Sequence, residues 1–165
     1  RDARAARPLD GLSLLDVGCG GGVLSEPLAR LGARVVGLDP APTNIAVAKA
    51  HAEAAGVAVD YRTETVEAVV EAGERFDVVL AMEVVEHVSD VPAFVHACCA
   101  AVAPGGLLVM ATINRTMRAF ALAIVGAEYV LGWLPKGTHQ WDKFVTPDEL
   151  TEAVEAAGLK VTGKR

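Results

Sequence analysis

A strand that runs straight into a cluster of glycines leaves a chain few folds to adopt, and residues 14–22 are such a stretch. Leu14-Leu15-Asp16-Val17 suits a strand, Gly18-Cys19-Gly20-Gly21-Gly22 places four glycines in five positions, and Val23 to Leu31 reads as a helix stopped by Gly32. Glycines lack a Cβ, so they take positive φ and let a ligand lie against the backbone, while free amides at a helix start donate hydrogen bonds. The turn is therefore expected to seat a nucleotide-like molecule. A dinucleotide fingerprint needs glycine or alanine in the last position of G-x-G-x-x-G, and Val23 stands there. The spacing is G-x-G-x-G, which disfavours an NAD-dependent dehydrogenase.

Downstream, strand-like and helix-like segments alternate. Arg34 to Leu38 reads as a second strand ending at Asp39, Pro40-Ala41-Pro42 as a breaker, and Asn44 to Ala55 as a helix closed by Gly56. Val57 to Arg62 follows as a strand, Thr65 to Ala72 as a helix, and Phe76 to Met82 as a fourth strand. Asp90 is placed to cap a helix through Ala103, and Pro104-Gly105-Gly106 to turn the chain into a fifth strand, Leu107 to Ile113. Thr146-Pro147-Asp148-Glu149 has the form of a capping box for a helix to Ala157, with a sixth strand beginning over Leu159 to Gly163. Such repeats imply a doubly wound, mainly parallel α/β sheet whose ligands bind at the carboxyl ends of the strands.

At 165 residues the chain fits a single domain, with 52% hydrophobic and 22% charged residues. A net charge of −6 without a basic cluster disfavours nucleic acid as a partner. Cys19, Cys98 and Cys99 form no C-x-x-C pair and read as reduced thiols. One stretch breaks the rhythm. An apolar insertion at about 116–145 separates the fifth strand from the last helix, and its core, 117–134, has three readings: a buried helix, a barely long enough bilayer span, or an interfacial helix that touches a membrane. Trp133, Tyr129, Arg118 and Lys136 are placed as interfacial anchors, and His139 could line an entrance beside them. His51 and His96 read as surface or packing histidines.

Two sets of residues are placed for chemistry. Asp39 sits at a strand's carboxyl end, where a carboxylate accepts both hydroxyl hydrogens of a ribose. Met82-Glu83-Val84-Val85-Glu86-His87 follows the fourth strand. In a helical turn Glu83, Glu86 and His87 stand at i, i+3 and i+4 on one face, a donor set for Mg²⁺, Mn²⁺ or Zn²⁺; the Glu-His pair also resembles one that packs under the cofactor, without metal, in class I methyltransferases.

The glycine turn with Asp16 resembles the first motif of class I S-adenosylmethionine-dependent methyltransferases. Together with Asp39, Phe76 to Val88, Pro104 to Asn114, and Gly126-Ala127-Glu128-Tyr129 followed by Pro135-Lys136-Gly137-Thr138-His139, the chain resembles the ubiquinone-biosynthesis O-methyltransferases. The resemblance implies a Rossmann-like methyltransferase domain, apparently truncated at both ends, that methylates a phenolic hydroxyl of polyprenylated catechol-like intermediates. It implies Asp16, Gly18, Gly20, Gly22, Asp39 and Met82 as cofactor-binding positions and Glu83, Glu86 and His87 as those assigned to Mg²⁺. Glu83 and His87 are the candidate catalytic residues, His87 as an alternative general base. A polyprenylated catechol or quinol substrate, a membrane surface reached through 117–134 and a biosynthetic complex are the expected partners. The expected location is cytoplasmic at the inner membrane, on the matrix side if eukaryotic. Other expectations are a different phenol or lipid substrate, or a non-catalytic cofactor-binding or membrane-docking module.

Overall fold

The computed structural model describes residues 7–112 and 145–164. Its strands are β1 (Ser13–Val17), β2 (Arg34–Leu38), β3 (Asp60–Arg62), β4 (Phe76–Met82) and β5 (Val102–Ala111), in one sheet of order β3-β2-β1-β4-β5. All four pairings are parallel. The helices among the described residues are α1 (Ser25–Arg30), α2 (Pro42–Ala55), α3 (Val66–Glu71), α4 (Val91–Ala100) and α5 (Pro147–Ala156).

Alternation along the strands sorts side chains onto two buried faces. Leu15, Val17, Val79 and Ala81 pack with Val66 and Val69 of α3 and Phe94, Ala97 and Cys98 of α4. Their neighbours Leu14, Val35 and Leu80 pack against Leu28 and Ala29 of α1 on the other face, where Ile45, Ala48 and Ala52 of α2 cover Cys19 and Tyr61. Each such aliphatic side chain removed from water contributes about 2 kcal/mol. A sheet covered on both faces needs apolar residues at odd and even positions alike, which is why these strands read as nearly unbroken apolar runs. The doubly wound α/β class is thus observed.

Helix ends follow local chemistry. Asp90 caps α4 by accepting from the Ala93 N–H at 3.0 Å. The capping box at α5 is complete: Glu149 N–H donates to the Thr146 hydroxyl at 3.2 Å, and Thr146 N–H to the Glu149 carboxylate at 2.8 Å. α2 starts at Pro42, because proline is a favoured first helical residue, so this proline opens the helix where the sequence suggested a break.

Two segments depart from expectation. Pro104-Gly105-Gly106 does not precede β5 but is absorbed into it. Phe76 pairs with Val102 and Val78 with Leu107, so the extra residues bulge out of β5, the outermost strand among the described residues, where proline lacks an N–H and Gly105 has φ +79°. The sixth strand over Leu159 to Gly163 is not formed: among the described residues these positions join no ladder of the sheet. Instead Leu159 to Lys164 lines a cavity of about 440 Å³ shared with β5 and α5. The insertion at 116–145, with its anchors and His139, lies almost wholly outside the described residues. No described helix is long and apolar enough to cross a membrane.

The strand order also places the site. From β1 the chain winds outward to β2 and β3, then returns to β4 on the other side of β1. The crevice left where the direction reverses, at the carboxyl ends of β1 and β4, is the place where open α/β sheets bind ligands.

Candidate active site

The glycine turn closes this crevice on the β1 side. Cys19 N–H donates to the Leu38 carbonyl at 2.8 Å, anchoring the turn to β2, and Gly22 N–H returns to the Cys19 carbonyl at 2.9 Å. Gly18, Gly20 and Gly22 have φ of +72°, +53° and +84°. A Cβ on Gly18 would overlap Val84, and one on Gly22 would overlap the Tyr61 hydroxyl. Gly20 differs: nothing lies within 4 Å of where its Cβ would be, leaving open space beside the backbone for a ligand.

Asp39 reaches this loop from the end of β2. Its Oδ2 accepts the Gly20 N–H at 3.1 Å, while Oδ1 accepts the Ala41 N–H at 2.8 Å and the Asn44 side-chain amide at 3.2 Å. The carboxylate is 7% exposed and held by three donors, so it is pre-oriented at the strand ends. Asp16 faces inward. It is 3% exposed and accepts the Ser25 hydroxyl at 2.5 Å, tying β1 to the first residue of α1, and burial pushes its carboxyl above the usual range. Burial likewise pushes the Cys19 thiol up to about 12, and its side chain packs with Ile45, Ala48, Ala52 and Tyr61.

Across the crevice, Met82 ends β4 half-exposed, and the chain then reverses sharply. Glu83 has φ +56°, the left-handed region that costs a non-glycine residue about 1 kcal/mol, while its N–H still donates to the Ala111 carbonyl at 2.8 Å. A 3-10 turn over Val85–His87 follows. This corrects the expected helical face, because Glu83 precedes the turn with its own backbone geometry and spacing of i and i+4 does not relate it to His87. Glu86 is buried at 5% exposure, with Oε2 accepting the Thr112 hydroxyl at 2.8 Å, whereas His87 is exposed.

Two carboxyl groups are what this geometry brings together. Partial burial, and after it the charge of Glu86, push the Glu83 carboxyl above the usual carboxylate range. Among the described residues no group of three or more His, Cys, Asp or Glu side chains is arranged to hold a metal ion. Mg²⁺ is commonly held through one or two carboxylates, with water or substrate oxygens completing its shell, and the Glu83/Glu86 pair fits that donor set without His87.

Several residues of the site were not singled out from the sequence. Asn44, Ser25 and Thr112 each donate to one of its carboxylates. Tyr61, 3% exposed behind Gly22, carries a hydroxyl with no hydrogen-bond partner among the described residues, and burial pushes its pKa up to about 12. Only Thr112 had a readable signal: it stands at a strand's carboxyl end, as Asp39 does. His51, read as a surface residue, is indeed exposed, but its Nδ1 lies 2.6 Å from the buried Glu26 carboxylate and joins α2 to α1.

Comparison with known proteins agrees with this geometry. A family described as a methyltransferase domain matches residues 2–164. The ubiquinone biosynthesis O-methyltransferase of Methylobacterium nodulans is 77% identical over 98% of this chain, which spans 65% of that relative's length. The magnesium protoporphyrin IX methyltransferase of Synechocystis PCC 6803, solved with bound SAH, superposes with a TM-score of 0.72 at 21% identity, covering 94% of this chain and 67% of that one. The same enzyme solved with bound SAM gives a TM-score of 0.52 at 27% identity, over 57% of this chain and 46% of that one. With the expected fold observed, a family match along nearly its whole length and a relative at 77% identity, the chain belongs to the methyltransferase domain family and is similar within it to the ubiquinone biosynthesis O-methyltransferases.

Proposed function

We propose that this chain forms the cofactor-binding core of an S-adenosylmethionine-dependent O-methyltransferase that methylates a phenolic hydroxyl of a polyprenylated catechol-like intermediate in ubiquinone biosynthesis. The observation that carries the reading is the Gly20–Asp39 hydrogen bond, which presents an open glycine loop and an oriented carboxylate side by side at the switch point. A ribose hydroxyl pair beside Asp39 and a methionine chain along Gly18 to Gly20 suit those two features. The narrower assignment rests on the relative at 77% identity.

Bound S-adenosylmethionine supplies the methyl group on a sulfonium. Transfer forms the O–CH₃ bond, breaks the S–CH₃ bond to leave a neutral thioether, and requires the phenolic proton to leave. Glu83, its carboxyl raised above the usual carboxylate range by partial burial and by Glu86, is one acceptor for that proton, and His87 is the alternative. Glu83 and Glu86 would also hold Mg²⁺, whose charge stabilises a phenolate oxygen. The backbone's contribution is positional: the glycine loop and the turn after β4 flank one crevice, so methyl donor and oxygen meet at fixed separation. We assign residues 117–134 to docking at the inner-membrane surface, where a polyprenyl tail resides, and allow for contact with a biosynthetic complex there.

The test is methyl transfer from labelled S-adenosylmethionine to a short-chain prenylated catechol by the full-length protein, with EDTA and with restored Mg²⁺. Turnover abolished by EDTA and recovered with Mg²⁺ is expected. Turnover indifferent to EDTA would remove the metal and leave Glu83 or His87 as base, and cofactor binding without turnover on any catechol would refute the acceptor class.

A further inference from the structure

We propose that Thr112 is a positioning residue for methyl transfer: its hydroxyl fixes the Glu86 carboxylate so that the Glu83/Glu86 pair is presented to the acceptor oxygen. The inference rests on the function proposed above. It begins with sheet order, because β5 neighbours β4 and Met82 is paired with Ala111. The Glu83 N–H to Ala111 carbonyl bond, 2.8 Å, carries that pairing one residue beyond β4, so Thr112 emerges beside the turn that contains Glu86.

The left-handed residue Glu83 leads into the 3-10 turn over Val85–His87, within which Glu86 is buried at 5% exposure. A carboxylate so far from water needs a donor, and among the described residues the donor is the Thr112 hydroxyl, 2.8 Å from Oε2. Binding one oxygen of a planar group restricts the other: with Oε2 held by Thr112, the carboxylate that interacts with Glu83 has a fixed orientation. Thr112 itself is half-buried and touches the site through the Glu86 carboxylate. Its hydroxyl is a donor of fixed position, since a β-branched side chain has few rotamers.

A plain packing role and a positioning role make different demands. The full-length protein, assayed with labelled S-adenosylmethionine and a short-chain prenylated catechol, is compared with Thr112→Val, Thr112→Ser, Glu86→Gln and the double variant Thr112→Val/Glu86→Gln. Thr112→Val keeps the shape and loses the donor. It is expected to lower kcat about tenfold, with S-adenosylhomocysteine affinity unchanged by calorimetry and the melting temperature close to that of the parent. Thr112→Ser restores kcat to within about twofold. In the Glu86→Gln background the same Val substitution costs less than about twofold, because the amide still accepts from Thr112 but the charged carboxylate that Thr112 positions is already gone.

Equal losses from Thr112→Val in both backgrounds, or a serine variant as impaired as the valine one, would overturn the positioning role. Loss of cofactor affinity together with a fall in melting temperature would assign Thr112 to structure and overturn it too. A parent protein that binds cofactor yet methylates no catechol would overturn the proposed function, and the inference with it, an outcome distinct from the other three.

Discussion

The backbone N–H of Gly20 donates to Asp39 Oδ2 at 3.1 Å, joining the loop after β1 to the carboxyl end of β2. One carboxylate therefore both shapes the glycine loop and stands ready for a ligand. Asp39→Ala removes the acceptor for three donors and is expected to weaken S-adenosylhomocysteine binding by about a hundredfold, with a loss of about 2 kcal/mol in stability. Isothermal titration calorimetry with the full-length protein measures the first and urea unfolding the second. Unchanged affinity would mean the cofactor does not use this carboxylate.

Gly22 is fixed by its backbone and by what lies behind it. Gly22→Ala forces a Cβ into φ +84° and against the Tyr61 hydroxyl, so a destabilisation of about 2 kcal/mol is expected. Tyr61→Phe removes a buried hydroxyl that makes no hydrogen bond among the described residues, and its unfolding midpoint should equal or exceed that of the parent. A clear loss in Tyr61→Phe would reveal a partner for that oxygen.

Asp16 sets a pH dependence with a definite sign. Burial raises its carboxyl above the ordinary aspartate value of about 3.8, so above that pH the folded state holds the proton more tightly than the unfolded chain does. Stability from this group is therefore full below about pH 4 and declines as pH rises toward the folded value. Asp16→Asn retains an oxygen to accept from Ser25 and removes the charge. Its stability relative to the parent should improve between pH 4 and pH 7 in equilibrium unfolding. A relative stability that worsened over that range would contradict the assigned shift.

Glu83 combines a left-handed backbone with a crowded carboxyl. Glu83→Asn, a residue that accepts positive φ more readily and carries no charge, is expected to gain about 1 kcal/mol in stability while methyl transfer falls at least about tenfold. Denaturant unfolding and turnover of the same preparation decide it, and a variant that lost both would remove the trade-off.

The opposite end of the sheet supplies a contrast. Ser13 donates its N–H and hydroxyl to Asp77 Oδ2 at 2.8 and 2.7 Å and accepts the Asp77 N–H at 3.0 Å, locking β1 to β4 at their amino ends. Ser13→Ala should cost about 1 kcal/mol of stability and leave S-adenosylhomocysteine affinity untouched, since the site lies at the other ends of these strands. A parallel loss of affinity would show that strand pairing at the far end governs the loop.

Strands, the glycine turn and Asp39 were legible because each is written locally: apolar runs, glycine spacing, a carboxylate at a strand end. Features that depend on the order of strands were not. The bond between Thr112 and Glu86 joins residues 26 positions apart and exists only because β5 lies beside β4. Tyr61 backs Gly22 only through the pairing of β3 with β2, which sets Tyr61 opposite Gly37. The reversal at Glu83 defeated a helical reading of its neighbours, since a single left-handed residue resets which side chains share a face. Pro104-Gly105-Gly106 was read as punctuation between elements, whereas an edge strand tolerates it as a bulge.

Val84 fills the space a side chain at position 18 would need, so the loop after β1 and the turn after β4 touch with no gap between them. The two banks of the crevice thus share a wall. A larger residue at 84 would therefore press on the glycine loop, and a side chain at 18 would press on the turn that carries Glu83 and Glu86, so neither bank can be widened without moving the other.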